Sequence, residues 1–178
     1  MIAHRKNAGF SMIEVLITIV ILMIGLLGLA GLQTKALTAQ MEAYQRSQAL
    51  ILLKDMVDRI SANRKNAASY VTELNPAASC PAAGATVASV DLNEWCNALL
   101  GAAEVQDTAK VGAMIGARGC ITQTVAPASG VPSQYLVAVA WQGLNSTAIP
   151  AITCGQNQYG NEALRRVVAL PVTIADLL

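Results

Sequence analysis

Histidine is almost missing from this 178-residue chain: the single one, His4, lies within the first nine residues. The rest of the sequence therefore lacks the imidazole that Ser-His-Asp, Cys-His and histidine-ligated metal chemistry require. No phosphate-binding loop is recognisable, and the carboxylates are not paired in a catalytic setting. The chain reads as a non-enzyme, with no catalytic residues, no cofactor and no metal site. Aromatic residues are also scarce, at 4% of a chain that is 54% hydrophobic, so Ala, Leu, Ile and Val supply the apolar content. Charge of one sign is not in excess either, with a net of +1. A nucleic-acid binder needs a concentrated basic face to neutralise phosphates. Here Lys54, Arg59, Arg64 and Lys65 are interleaved with Asp55 and Asp58, the pattern of a solvated helix face, so nucleic acid is not an expected partner.

The four cysteines, Cys80, Cys96, Cys120 and Cys154, include no C-x-x-C pair. This argues against a zinc knuckle or a thioredoxin-like motif. An even number, all downstream of a long apolar run, suits two disulfides in an oxidising compartment, with four buried thiols as the alternative. Three pairings are open. The favoured one joins Cys80 to Cys96, stapling a Pro-containing loop to a short helix, and Cys120 to Cys154, tying two strands together.

The first nine residues, MIAHRKNAG, are basic and free of acid. From Val15 to Leu32 the chain is apolar apart from Thr18 and glycines, long enough to nearly span a bilayer as a helix. Arg5 and Lys6 precede the run, which places the N-terminus in the cytoplasm and everything after Gln33 across the membrane. Glu14 sits inside the start of the apolar segment. A carboxylate there is costly unless it lies at headgroup depth or is paired, which makes it a functional candidate.

The run G-F-S-M-I-E-V-L-I-T-I, Gly9 to Ile19, resembles the type III signal of type IV prepilins and type II secretion pseudopilins. The resemblance implies that a prepilin peptidase cuts after Gly9 and methylates the new N-terminal amine of Phe10. It implies too that Glu14 recruits subunits by pairing with the N-terminal amine of a neighbour. A buried carboxylate needs a cation, and in a stack of identical helices that amine is the nearest candidate. A conventional signal peptidase would instead cut beyond the apolar run, near Ala30. Loss of the leader would leave ten basic against eleven acidic residues.

Apolar residues recur at three- and four-residue steps through Leu37, Met41, Tyr44, Leu52, Leu53, Met56, Val57 and Ile60, which predicts one helix from about Phe10 to Ala62. Glu42–Arg46 and Asp55–Arg59 have the spacing of i,i+4 ion pairs. Gly25, Gly28 and Gly31 read equally as a hinge or as residues simply tolerated in lipid or at a close helix contact. Residues 76–90 read as loop. Asp91 with Glu94 resembles a capping box opening a helix over 92–102, with Trp95 and Leu99 inward. Strands are predicted over Cys120–Ala126, Tyr135–Gly143 and Leu164–Leu177, with an earlier one near Lys110–Gly116. Arg165 and Arg166 then fall in a strand, either guarding its edge or facing a partner's carboxylate. The fold class is α+β: a pilin-like long N-terminal helix packed on a small antiparallel sheet. The parts are a leader (1–9), a transmembrane or filament-core helix (10–33) and a head (34–178).

The segments YLVAVAWQG, TCGQNQYG and ALRRVV, with NEWCNALL, are similar to those of PilV-type minor pilins, which are related to the I-type minor pseudopilins of type II secretion. The function this implies is that of a minor pilin that helps initiate assembly of a type IV pilus and sits at its tip. A pseudopilus subunit is the alternative, and a binding module using the Cys80–Cys96 loop or the Gly155–Asn161 loop with Tyr159 is an alternative of another class. The implied partners are the prepilin peptidase, other minor pilins and the major pilin. The implied location is the inner membrane, single-pass with a periplasmic head, and then the extracellular pilus.

Overall fold

A computed structural model describes residues 9–101, 105–106, 109–110, 112, 114–128 and 130–175. The leader up to Ala8, including His4, the expected end of the short helix at Ala102 and the end of the last predicted strand beyond Ala175 lie outside the described residues.

The long helix, α1, runs Met12–Ala62. A 3-10 helix follows over Arg64–Tyr70, then β1 (Thr72–Leu74), α2 (Val87–Leu99), β2 (Val105–Gln106), β3 (Ala109–Lys110), β4 (Ile115–Val125), β5 (Ser133–Gln142), a short 3-10 turn (Glu162–Leu164) and β6 (Arg165–Ile174). Four strands form one antiparallel sheet in the order β1-β4-β5-β6, and β2 with β3 makes a separate two-stranded ribbon. The fold is therefore α+β and pilin-like. The chain divides into two compact units, one ending at Met41 and the other starting at Glu42.

In the second unit the α1 residues Ala49, Leu53, Met56, Val57 and Ile60 are buried at helical spacing. They share a core with the inward residues of the sheet, among them Ile121, Val137, Val139 and Trp141. The buried positions of α2 join the same core: Trp95 is fully enclosed, and its indole N–H donates to the carbonyl of Leu52 at 2.9 Å. That ring lies over β4, where a Cβ on Gly119 would come within 2.4 Å of it. Only glycine allows the approach.

A second, smaller layer covers the opposite face of the sheet. Residues 143–161, between β5 and β6, form a strap. Ile152, Cys154 and Tyr159 of the strap pack on Cys120, Ala138 and Ala140. Coverage on both faces explains why β5 reads as a nearly unbroken apolar run instead of an alternating one.

Several sequence expectations need correction. The short helix starts earlier than its apparent capping box: Thr86 is the N-cap, its hydroxyl accepting the Ser89 N–H at 3.2 Å. Asp91 and Glu94 lie inside α2 and are engaged by Arg59 of α1 instead. Cys154 is in the strap and not in a strand. The predicted strand near Lys110–Gly116 is divided between β3, which ends at Lys110, and β4, which begins at Ile115. The three-residue β1 carries too short a pattern to be read from sequence.

Candidate assembly site

Each candidate residue of the N-terminal region has a local cause for its position. Gly9, Phe10 and Ser11 precede α1. The Ser11 carbonyl accepts the N–H groups of Glu14 (3.0 Å) and Val15 (3.3 Å), while its hydroxyl accepts the Ile13 N–H at 3.4 Å. Ser11 thereby satisfies donors that a helix start leaves free. Glu14 occupies the first turn, where the helix dipole favours an anion. The Gly9–Phe10 bond thus lies just outside the helix, and the carboxylate lies within its first turn.

The rest of the first unit buries almost nothing. Phe10 is 83% and Met12 91% exposed, and the large apolar residues from Ile13 to Leu37 are all exposed within the chain. This part of α1 is long and apolar enough to cross a membrane. The hydroxyls of Thr18, Thr34 and Thr38 donate to the carbonyls of Val15, Ala30 and Thr34, so these polar groups demand no water. Gly25, Gly28 and Gly31 lie in unbroken helix, and among the described residues a Cβ on any of them would meet nothing within 4 Å.

In the head, two disulfides join Cys80 to Cys96 and Cys120 to Cys154. Three polar nodes fasten elements to one another. At the first, Arg59 pairs with Asp55 (3.0 Å), Asp91 (2.9 Å) and Glu94 (2.6 Å). Burial pulls its guanidinium down, but the hydrogen bonds to Glu94 and Asp91 outweigh this and raise it above its ordinary value. The Tyr70 hydroxyl donates to Asp91. Burial, helped by that carboxylate, pushes the phenol up to about 12.

At the second node, Glu42 receives the backbone N–H groups of Leu144 (3.2 Å) and Asn145 (3.0 Å) and the guanidinium of Arg166 (3.3 Å). The expected Glu42–Arg46 pair is displaced by this longer-range capture. At the third, Arg165, 1% exposed, is enclosed beneath the strap. It pairs with Glu162 at 2.7 Å and donates to the carbonyls of Pro150 (3.1 Å), Cys154 (3.1 Å) and Ile152. Burial pushes the Glu162 carboxyl up, but the Asn157 N–H and Arg165 hold it below its ordinary value overall. Neither arginine is a free edge guard. Tyr159, offered as a recognition residue, is buried, and its hydroxyl donates to the Gly116 carbonyl at 2.9 Å. Burial pushes this phenol to about 12, against the pull of Arg118 and Arg165.

Sequence reading missed the roles of Glu42, Arg59 and Arg165 as fasteners. Glu42 and Arg59 read as polar helix positions, with Asp55–Arg59 the pair foreseen, and Arg165 as a strand residue, while most of their other partners are loop groups or residues far along the chain.

With the fold and these positions established, comparison with known families is informative. Residues 31–99 match the family described as Type IV pilin Tt1218, and residues 4–30 match the prokaryotic N-terminal methylation motif. The two matches adjoin and support a type IV pilin with a prepilin signal. The methylation motif implies processing by a prepilin peptidase and assembly with other pilins. Neither curated proteins nor solved structures gave a match.

Proposed function

We propose that the chain is a minor pilin of the PilV type, which helps initiate a type IV pilus with other minor pilins and takes a place at its tip. In this reading the peptidase cuts between Gly9 and Phe10 and methylates Phe10, and Glu14 accepts the N-terminal amine of a neighbouring subunit. The chain waits in the inner membrane as a single-pass protein with its N-terminus cytoplasmic and its head periplasmic, then moves into the extracellular filament. The observation that carries the reading is Glu14, an acid in the first turn of an apolar helix that has no hydrogen bond or ion pair from its side chain among the described residues. The head is held by its own fasteners and disulfides, as a subunit carried outside the cell would need to be.

The test is mass analysis of the mature N-terminus together with recovery of sheared pili. The expected product begins with N-methyl-Phe10 and is found in pili at low abundance beside a major pilin. A chain cut near Ala30, or one with its leader intact in assembled pili, overturns the proposal. Recovery only with a secretion machinery would assign it to a pseudopilus instead.

A further inference from the structure

The strap does not cover the whole outer face of the sheet. Between its residues 151–154 and the β1 edge lies an open groove of about 480 Å³. Its floor is Leu136, Ala138 and the Cys120–Cys154 disulfide, and Val71 and Ile152 stand on opposite sides. Val71 is 45% exposed, so the apolar lining continues to the rim.

Polar groups are few and lie among these apolar ones: the hydroxyls of Thr122 and Thr153 and the carboxylate of Glu73. Among the described residues none of these three side chains has a hydrogen bond or ion pair. This contrasts with Glu42, Asp91, Glu94 and Glu162, which are all engaged. Glu73 is the one charged side chain lining the groove. It stands opposite Cys120 in the β1–β4 register, on the groove side of the sheet. An apolar floor with a few convergent, unengaged polar groups is the usual composition of a recognition site. A single carboxylate at its edge selects a cationic partner.

We propose that this groove docks a short segment of a neighbouring pilin subunit, one that presents a lysine or arginine flanked by aliphatic side chains. The basic residue pairs with Glu73, its aliphatic neighbours cover Leu136, Ala138 and Ile152, and the threonine hydroxyls meet the segment's backbone. A protein segment suits the site better than a small molecule, because the groove is open and its polar groups are spread across β1, β4 and the strap. The inference rests on the reading of the chain as a pilus subunit, which supplies neighbours at high local concentration.

The experiment places a photo-crosslinking p-benzoylphenylalanine at exposed Thr122 in the full chain, expressed with the other pilins of its own pilus. Crosslinked peptides from sheared filaments are then sequenced. The expected product joins Thr122 to a lysine- or arginine-containing aliphatic segment of another pilin. Glu73→Lys should lower its yield at least tenfold, and changing the partner's basic residue to glutamate should restore it. Glu73→Gln, at an exposed position without a side-chain partner among the described residues, should keep the fold by tryptophan fluorescence and lower the yield several-fold. A crosslink to a second copy of this chain or to a non-pilin, or one insensitive to Glu73→Lys, overturns the proposal. So does a processed, filament-borne chain that gives no crosslink, and that outcome leaves the assembly reading intact. Absence of the processed chain from filaments overturns the assembly reading, and this inference with it.

Discussion

Arg165 has a guanidinium buried beneath the strap and shared among one carboxylate and three carbonyls. Removing one member of a buried charge pair leaves the other uncompensated and costs about 3–5 kcal/mol. Arg165→Met should therefore destabilise the head by about 3 kcal/mol in urea titration. Arg165→Lys should recover only part of this, since a point charge cannot reproduce the planar fork. Acid should weaken the same node. Because the folded-state pKa of Glu162 is depressed, its contribution is present above the unfolded carboxylate value of about 4.3 and is lost as pH falls through the lower folded value. Amide exchange over residues 150–157 should accelerate below about pH 4 before exchange in β5 does. None of this was legible in the sequence, where Arg165 looked like an edge residue of a strand. β6 is indeed at the sheet edge, but the strap that covers its start is coil, and coil gives no periodicity from which burial can be inferred. Glu14 was legible because it is a charge set in an apolar run. In the proposed role, Glu14→Ala should leave N-terminal processing unchanged and remove most of the chain from sheared pili, as measured by immunoblot against the membrane fraction.

The elements differ in how much they announced themselves. A helix of 51 residues repeats its apolar spacing many times, so α1 was readable to within two residues at its start. The strands β4, β5 and β6 were readable from β-branched residues bounded by Gly, Pro and Asn, and the structure extends β4 toward its N-terminus. The start of α2 was misread because Asp91-x-x-Glu94 and Thr86-x-x-Ser89 are both plausible caps, and only the tertiary contact of Asp91 and Glu94 with Arg59 decides between them. The α2–β4 contact gives a sharp test. Gly119→Ala forces a methyl group into the Trp95 ring, and overpacking of this kind typically costs about 1–3 kcal/mol. A loss in that range, with a shift in Trp95 fluorescence, is expected. Gly28→Ala should show no such loss, since no described residue lies within 4 Å of where its methyl group would stand.

At the scale of the molecule, the two units rest on different physics. The head combines a core, three polar fasteners and two cross-links of 16 and 34 residues' separation. In the chain-entropy account, closing the longer loop stabilises by about 0.7 kcal/mol more than closing the shorter one. Paired Cys→Ser replacement of Cys120 and Cys154 should therefore lower stability more than replacement of Cys80 and Cys96, each by about 3 kcal/mol, in urea unfolding of the full chain in detergent micelles.

The bare apolar surface of the first unit also bears on the direction of assembly. Leucine and isoleucine side chains distinguish poorly between acyl chains and the side chains of sibling helices, because the two surroundings are about equally oily. A helix coated in them is therefore nearly indifferent between the two media and can pass in either direction at little cost. From Phe10 to Gln33 only Glu14 carries a charge, and an unpaired carboxylate deep in lipid costs about 3 kcal/mol that a paired one avoids. In the assembly proposed above, one side chain would thus act as the valve in an otherwise reversible exchange, the bilayer serving as a reservoir from which subunits are withdrawn when a cationic amine is on offer and to which they return when it is not.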